Sequence, residues 1–458
     1  MDDKSKYLIA HLFNSVGLYN QRMNTKLVAI LAVIIVVAAG SVAYIVINND
    51  DDGHYVSTDN TGRLAVYGNA NNDDYLDNSD VEYLEKIIAG TEEKTPLADA
   101  NQDGKIDSAD VDFVKGILNK TQKTVYVLQT YNKTAQVVSC KYPLTSVGVA
   151  GYETITVLQS IGAVDKIKIL SGAGGDSFDK TFYSDVYDLP KCGKDVWNID
   201  PELLPENVKL DGIIAMDSKS YLPNYQTFEK AGISVVRIQA AHALNSLSGI
   251  VTVGFLLGCE EKANELMEFF DGITDNIVKK VGTVSDENKV TGLFVTMTNY
   301  VEGPVDRSEY TGTMVIAGAK SLADKNTAPW GSDKARLQFK TGEEWLLNDD
   351  YQGDFIVHSR ALGLKPLTSE QMQDQWNNYS QYFTKMSAYP DGYFILNSTL
   401  SPVLRIAVMA TQFYPDLFGE DYAFDCIQQY YDKFITSISD FDAKTDATWL
   451  ITANDVKP

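Results

Sequence analysis

The chain has 458 residues, enough for about two to four domains, and its hydrophobic content of 44% is ordinary for a globular protein. The formal net charge of −23 argues against nucleic acid as a partner, because phosphate binding needs clustered Lys and Arg side chains. The four cysteines lie far apart without a CxxC pair. Neither a zinc or redox site nor a disulfide framework is therefore indicated, although one or two chance disulfides stay open.

The first predicted element is a membrane-spanning helix over residues 27–47, 21 residues without a charge and long enough to cross a bilayer. Arg22 and Lys26 precede the segment and Asp50 follows it. The positive-inside rule therefore predicts that residues 1–26 are cytoplasmic and that everything after residue 47 lies outside the cell membrane. A cleaved signal peptide is the alternative, and a start at Met23 would strengthen it. A polar linker over 48–63 follows.

Next come two twelve-residue loops with oxygen-bearing side chains at positions 1, 3, 5, 9 and 12, the spacing of a calcium cage of the EF-hand type. Position 7 would contribute its backbone carbonyl. The predicted ligands are Asn69, Asn71, Asp73, Tyr75, Asp77 and Asp80 in the first loop and Asp99, Asn101, Asp103, Lys105, Asp107 and Asp110 in the second. We therefore expect two calcium ions. Position 6 is Gly104 in the second loop but Asp74 in the first, where we expect a strained turn and the weaker site.

Each loop is followed by a short amphipathic run, "VEYLEKIIAG" or "VDFVKGILNK", with apolar residues at helical spacing. Two such repeats over residues 64–120, each with Asp at position 12, resemble a dockerin module. The resemblance implies binding to a cohesin module, often through positions 10 and 11 of the loops, which are Asn78, Ser79, Ser108 and Ala109. Twelve acidic side chains against three Lys lie between Asn69 and Asp110. We therefore expect this small all-α unit to be loose without calcium.

The main body, from residue 124 onwards, alternates β-branched runs with helical patterns, which predicts an α/β fold with parallel strands. The strand candidates are "AQVVSC", "KIKIL", "GIIAM", "SVVRI", "VTGLFVTM", "DFIVHS" and "GYFILNS". Between two groups of them, residues 258–282 carry apolar side chains at intervals of three and four, which predicts one long helix. The expected architecture is two Rossmann-like lobes, 124–257 and 283–458, joined by that helix.

The order of these segments resembles the substrate-binding proteins of ABC importers, specifically the class that carries ferric siderophores, haem or cobalamin. The similar pieces are "ETITVLQSIGAVDKIKIL", "WNIDPELLPENVKLDGIIA", "FEKAGISVVRI", "GFLLGCEEKANEL", "TGEEWLLNDDYQGDFIVHS" and "MATQFYPDLF". The resemblance implies capture of a metal chelate between the lobes and docking to an ABC permease through one Glu on each lobe. The matching docking residues are Glu202 and Glu343, which could instead serve only to cap helix N-termini.

Ligands of open α/β sheets bind at the carboxyl ends of strands, so the loops that follow the strands supply the candidate cleft residues. These candidates are Tyr152, Tyr221, His242, Tyr300, Arg307, Trp330 and Arg360. Aromatic rings offer flat contact to a large chelate, and the guanidinium fork suits anionic oxygen pairs. Arg360 is the strongest candidate because it directly follows the apolar run "FIVHS", although it could instead pair with Asp354.

Enzyme functions find no support among the motifs. The sequence has no GxSxG, HExxH or GxxxxGK[ST] pattern, and its four His leave little material for acid–base catalysis. We therefore expect a membrane-anchored extracellular binding component. Two alternatives stay open: a dockerin-bearing surface component that binds or hydrolyses polysaccharide, and a sensory or assembly protein with the same fold. Paired carboxylates and Trp platforms in the cleft would favour polysaccharide, whereas Tyr and Arg would favour a chelate.

Overall fold

The computed structural model describes residues 36–38, 41–43, 63–132, 134–172, 178–238, 246–332, 334–339 and 344–456. Two three-residue strands, Val36–Ala38 and Ser41–Ala43, pair antiparallel. The rest of the predicted membrane segment 27–47 lies outside the described residues, as do segment 1–26 and linker residues 48–62. In the part of the chain that is described, no helix combines the length and the apolar character needed to cross a membrane.

Each repeat of the loop module forms one helix, Asn78–Ile88 in the first and Ser108–Leu118 in the second. Asp77 and Asp107, at loop position 9, are also the N-cap residues, and each closes a capping box with the Asp three residues later. The apolar faces of the two helices pack against each other in a small core that includes Val81, Leu84, Val111 and Val114. The helical spacing in the sequence thus corresponds to one shared buried face.

The loop module is joined to the body by more than its chain connection. Val66, just before the first loop, forms an antiparallel bridge with Val127 of the body. Leu64, Val66 and Ile117 belong to the same buried apolar cluster as the first lobe and the long helix. The small unit therefore buries part of its apolar surface against the body, and the expectation that it is loose by itself took no account of this contact.

The first lobe is built on a four-stranded parallel sheet in the order Ile167–Leu170, Val147–Ala150, Gly212–Met216 and Ser234–Ile238. Sheets of this kind are covered on both faces, which explains the continuous apolar runs in the sequence. The helices of this lobe are Tyr152–Ser160, Tyr225–Lys230 and Ser246–Leu257. An antiparallel hairpin, Thr124–Tyr131 with Thr134–Lys141, packs beside the last strand.

The long helix that follows the first lobe runs from Glu260 to Val281. Its buried residues include Ala263, Leu266, Met267, Phe270, Ile273 and Ile277, at helical intervals. It packs against Ser246–Leu257 of the first lobe and Pro402–Phe413 of the second. We call it the connecting helix, because it contacts both lobes along its length.

The second lobe has a mixed sheet in the order Arg336–Gln338, Tyr300–Glu302, Thr291–Thr296, Phe355–Arg360, Tyr393–Asn397 and Leu450–Ile451, with Lys320–Ser321 also paired to Thr291–Thr296. The three central strands are parallel, as predicted, but the flanking strands Tyr300–Glu302, Arg336–Gln338 and Leu450–Ile451 are antiparallel. Only residues 297–299 join two of these strands, and so short a link cannot form a parallel crossover. The helices are Glu309–Ile316, Leu322–Lys325, Ser369–Ser380, Pro402–Phe413, Pro415–Phe418 and Tyr422–Phe434.

All four cysteines are free, and three of them, Cys140, Cys192 and Cys426, are buried. The burial raises the pKa of each of these three thiols. They therefore behave as small apolar core residues and not as reactive thiols.

Candidate ligand cleft and calcium loops

Two of the predicted ligand-binding tyrosines, Tyr152 and Tyr221, lie at the carboxyl edge of the first lobe. The strand Val147–Ala150 ends at Gly151, whose φ of +101° suits glycine, and a helix begins at Tyr152. A Cβ on Gly151 would lie 2.9 Å from Cε1 of Tyr221, so the glycine admits the Tyr221 ring against the strand end. Tyr152 stacks on Phe178 with ring centroids 5.4 Å apart. Both tyrosines are half-buried and form one aromatic edge.

Arg237 fixes the turn that carries Tyr221. Its guanidinium donates hydrogen bonds to the carbonyls of Met216 at 3.0 Å, Tyr221 at 2.7 Å and Leu222 at 3.2 Å. Arg237 is buried, which lowers the pKa of its guanidinium. Since three carbonyls satisfy this buried cation, the backbone around Tyr221 is held in one conformation.

Arg360 is the last residue of its strand and not the first residue after it. Its Nη2 donates to the Tyr379 hydroxyl at 2.8 Å, and its guanidinium carbon lies 4.3 Å from the centroid of that ring. The Nε of Arg360 is buried without a hydrogen-bond acceptor, and no described carboxylate forms an ion pair with the guanidinium. Asp354, the alternative partner, instead accepts hydrogen bonds from the N–H and the hydroxyl of Thr291. Arg360 is thus a half-buried cation without an ion-pair partner among the described carboxylates.

The strand Thr291–Thr296 pairs with the strand that ends at Arg360, and Thr296 lies opposite Ser359. Met297 is the next residue after Thr296. Its φ is +53° and its side chain is 50% exposed. Its carbonyl oxygen lies 2.6 Å from Nε2 of the fully buried His358, whose Nδ1 lies 2.9 Å from the Tyr393 hydroxyl. A carbonyl only accepts, so Nε2 carries the proton and Nδ1 accepts from Tyr393. Burial lowers the pKa of His358 to about 3, so the imidazole is neutral and holds this turn in place.

A buried cation lies where the two lobes meet, and motif reasoning missed it. Arg405 is 2% exposed, is hydrogen-bonded to Tyr310 and lies 5.8 Å from the centroid of that ring. Burial raises the pKa of Glu153 in the first lobe, and the Arg405 charge opposes this rise, so the two groups interact across the lobes. The signal in the sequence was the single charge within "PVLRIAVMA", because a buried guanidinium needs a polar partner.

The lobes also touch directly beside this buried group. The hydroxyls of Ser160 and Tyr430 lie 2.6 Å apart, and Nζ of Lys365 lies 2.6 Å from a carboxylate oxygen of Asp179. These contacts join the first lobe to the second at one side of the cleft, so the described conformation has the lobes in contact.

Trp330 was predicted to contact a ligand, and this prediction is wrong. The side chain is fully buried in the core of the second lobe and packs edge-on against Tyr351 at 5.7 Å. It lies under Gly303, where an added Cβ would come within 2.9 Å of the indole. The indole therefore packs against Gly303 inside the second lobe and does not line the cleft.

The other predicted ligand residues have different surroundings. Arg307 donates to the Gly331 carbonyl at 2.6 Å and lies 3.5 Å from Asp306, so contacts within the second lobe hold it. Tyr300 is half-buried on a flanking strand, with the Arg336 guanidinium 5.2 Å from its ring centroid. His242 lies outside the described residues. Of the two residues predicted to dock to a permease, Glu202 is exposed at the start of a short 3-10 turn. The other, Glu343, lies outside the described residues.

The two predicted calcium loops share one hydrogen-bond pattern. The buried carboxylate at position 12, Asp80 or Asp110, accepts the N–H groups of positions 3 and 9 at 2.9–3.2 Å. The N–H of position 5, Asp73 or Asp103, donates to the side-chain oxygens of positions 1 and 3 at 2.9–3.2 Å. The two segments, 30 residues apart in the sequence, thus form equivalent closed turns.

The donor set of these loops suits a hard cation such as calcium. Asp80 and Asp110 are fully buried, and burial raises the pKa of Asp80 to about 7 and that of Asp110 in the same direction. Neither forms an ion pair with a basic side chain of the described residues, so a cation would supply the missing counter-charge. No described group of three or more His, Cys, Asp or Glu side chains is arranged closely enough to hold a metal ion. The oxygens instead accept backbone N–H groups.

The expected strain at Asp74 is not present, because Asp74 has no positive φ. In both loops the non-glycine residue with positive φ is at position 4, Asn72 in the first and Gln102 in the second, and Gly104 adds one more in the second. The Asp74 carboxylate instead accepts the backbone N–H of Arg63 at 2.8 Å. The reason given for weaker calcium binding in the first loop, backbone strain at Asp74, therefore does not apply.

The four residues expected to meet a cohesin module, Asn78, Ser79, Ser108 and Ala109, are all exposed. They lie at the first turns of the two module helices, in equivalent places in the two repeats. The surface is therefore accessible to a partner.

No protein-family model matches the chain, and no curated protein matches it significantly. Among solved structures, the chain is similar to a TroA-like periplasmic binding protein, FepB, from Veillonella parvula, with a TM-score of 0.51 and 16% identity, covering 71% of this chain and 99% of that one. A periplasmic solute binding protein from Veillonella parvula DSM 2008 gives a TM-score of 0.50 and 16% identity, over 70% and 96% of the two chains. These similarities confirm the predicted α/β fold of the body, which resembles that of the two solved structures.

Proposed function

We propose that this chain is the extracellular substrate-binding component of an ABC importer for a metal chelate, either a ferric siderophore, haem or cobalamin. The observation that carries the proposal is Arg360, a half-buried guanidinium at the carboxyl edge of the second lobe that has no described carboxylate partner. Beside it the exposed Met297 offers apolar contact, and Tyr152 and Tyr221 form an aromatic edge on the first lobe.

These groups match the chemistry of a chelate. Peripheral anionic oxygens of the ligand would accept two parallel hydrogen bonds from Arg360, a geometry that Lys cannot reproduce. The flat or apolar parts of the ligand would lie against Met297 and the tyrosine rings. Both similar solved structures are named as binding proteins, which favours capture over catalysis.

Titration of the purified chain with haem, cobalamin and ferric siderophores tests this function. Trp197, which is 47% exposed next to the turn that carries Tyr221, serves as a fluorescence reporter. We expect one chelate to quench this fluorescence at a stoichiometry of one, and calorimetry of Trp197→Phe to give a similar affinity. Failure of every chelate to bind would overturn the proposal.

The second candidate function is recognition of polysaccharide at a cell surface, and the exposed Trp197 is the observation in its favour, because an indole face can stack on a sugar ring. The same titration therefore includes soluble oligosaccharides. Saturable binding of an oligosaccharide, without any chelate, would replace the first candidate by the second.

The proposal includes a calcium-dependent module for attachment to a cohesin-type partner, anchored near the membrane by the N-terminal segment. The support is the pair of equivalent loops with buried Asp80 and Asp110. Calorimetry with calcium should give two bound ions per wild-type chain and one per Asp110→Ala chain. Magnesium should give no comparable heat, because it requires a rigid octahedral site and loses its water ligands reluctantly. Absence of calcium binding to the wild-type chain would remove this part of the proposal and leave the chelate part intact.

A further inference from the structure

Arg63 links the first calcium loop to the connecting helix. Its backbone N–H donates to Asp74 at 2.8 Å, its Nη1 lies 3.8 Å from the same carboxylate, and its Nη2 lies 2.5 Å from Asp271 on the connecting helix. The side chains of Arg63 and Asp271 are each only 13% exposed. An ion pair with so little solvent costs much stability when one partner is removed, because the other charge stays buried.

The loop also holds the chain segment that carries Arg63. Asn69, at loop position 1, donates from Nδ2 to the carbonyls of Leu64 at 2.8 Å and Asp73 at 2.7 Å. The N–H of Ala65 donates to the Thr252 hydroxyl in the first lobe at 3.0 Å. Residues 63–67 are thus held between the first loop on one side and the first lobe with the connecting helix on the other. We call them the docking segment.

The junction carries an excess of negative charge. Arg63 pairs with Asp74 and Asp271. Burial raises the pKa of Asp271 against the opposing Arg63 charge, and the like charges of Asp275 and Asp74 raise it further. One carboxylate oxygen of Asp271 and one of Asp275 are buried without a hydrogen-bond partner among the described residues. A divalent cation in the adjacent loop would offset part of this repulsion.

The second loop lacks the equivalent link. At position 6 it has Gly104, which has no side chain, and a Cβ built there would meet nothing within 4 Å. Its position 1, Asp99, accepts the Gly104 N–H at 2.9 Å within the loop. The second loop therefore provides a matched internal control for any effect that passes through Asp74 and Arg63.

We propose that calcium in the first loop controls the ligand-binding body, because the loaded loop fixes Asp74 and the docking segment so that Arg63 holds the connecting helix between the lobes. The second loop lacks this ion-pair link to the connecting helix, and its helix meets the body through apolar packing at Ile117. This inference rests on the calcium binding proposed above and assigns its first site a regulatory role.

The full chain offers a reporter that sees only the body, since all five Trp residues follow residue 124. Calcium should raise the Trp-monitored unfolding midpoint by several degrees, about 2–6 °C, in the wild-type chain. Asp103→Ala, in the second loop, should keep this calcium-induced rise. Asp73→Ala, at the same position of the first loop, should abolish it. Equal responses of the two variants would overturn the proposal.

Arg63→Met separates the coupling from calcium binding, because it removes the guanidinium and keeps most of the side-chain volume. We expect this variant to bind two calcium ions in calorimetry but to show no calcium-induced rise in the Trp transition. Asp271→Asn provides the same test from the other side of the ion pair, should Arg63→Met fold poorly. A wild-type chain that binds no calcium contradicts the proposed calcium module. One that binds two ions without a shift in the Trp transition contradicts only the coupling.

Discussion

Three arginines of this chain show how surroundings decide the use of a guanidinium. Arg237 is buried and satisfied by three carbonyls, so its role is to fix a turn. Arg405 is buried and hydrogen-bonded to Tyr310, and its charge opposes the rise in the pKa of Glu153 in the first lobe. Arg360 donates to one tyrosine hydroxyl and keeps a buried Nε without an acceptor. Arg405 also has a buried Nε without an acceptor among the described residues, but of these three arginines only Arg360 is partly exposed, so only its guanidinium is accessible to a ligand from solvent.

Replacing Arg360 tests this difference. Charge-assisted hydrogen bonds contribute roughly 1.5–3 kcal/mol, so Arg360→Ala should weaken chelate binding about ten- to a hundredfold. Arg360→Lys should recover only part of the affinity. Calorimetric titration with the best chelate measures both. Lys320→Ala, at the opposite edge of the same sheet, is the control and should leave affinity unchanged. Equal binding by wild type and Arg360→Ala would remove Arg360 from the site.

His358 should make the stability of the chain depend on pH. Burial lowers its pKa from 6.5 to about 3 in the folded state. The unfolded chain therefore binds a proton more readily between these pH values, and the free energy of unfolding should fall as the pH drops from about 6.5 towards 3. Denaturant unfolding at several pH values measures this slope. His358→Gln should be less stable at pH 7 but lose less stability on acidification, and an unchanged slope would contradict the assignment.

Among the secondary-structure elements, the two module helices differ in what they contact. The helix Ser108–Leu118 places Ile117 in the same apolar cluster as the body, whereas Ile88 at the end of the first helix stays 45% exposed. Sequence periodicity treats both as apolar positions of amphipathic helices. Their energetic roles differ because only one of them is covered by the body.

Truncating each isoleucine tests the module–body contact. Ile117→Ala should cost about 2–5 kcal/mol of unfolding free energy, because the residue is 1% exposed and its loss leaves a cavity. Ile88→Ala should change it by no more than about 0.5 kcal/mol. Trp fluorescence during denaturant unfolding measures both. If Ile117→Ala leaves the Trp transition of the body unchanged, the module does not share the core of the body.

At the scale of the whole molecule, the two lobes have different neighbours. The first lobe includes the hairpin, which contacts the docking segment, and the second lobe contributes Tyr430 and Lys365 to the contact between lobes. The connecting helix packs against both. Through the described contacts, a change at the loop module would therefore reach the second lobe by way of the first lobe or this helix.

Docking to a permease would engage both lobes at once. Glu202→Lys together with Glu343→Lys should abolish chelate uptake by cells while the affinity measured by calorimetry stays intact. Each exposed ion pair is worth only about 0.2–1 kcal/mol, so the two changes are needed together. Glu206→Lys, an exposed neighbour of Glu202, controls for charge reversal in the same segment. Loss of affinity in the double variant would place these residues in the fold or the pocket instead.

Local patterns in the sequence predicted the elements that depend on neighbours along the chain. The capping residues Asp77 and Asp107, the apolar period of residues 258–282 and the strand runs each contain their own signal, because capping and amphipathic burial act within one element. The spacing of oxygen-bearing side chains likewise marked the two loops. The α/β class followed from the alternation of these elements, and the similar solved structures confirm it.

Tertiary structure alone decided which side chains became available to a ligand. Trp330 and Arg360 were both candidates from the sequence, with Arg360 the stronger, yet Trp330 is fully buried against Gly303 whereas Arg360 is half-buried beside Tyr379. The ion pair of Arg63 with Asp271 and the influence of the Arg405 charge on the pKa of Glu153 connect residues more than 200 positions apart. No local pattern encodes such pairs, because burial and charge pairing depend on how whole lobes pack and not on the order of residues.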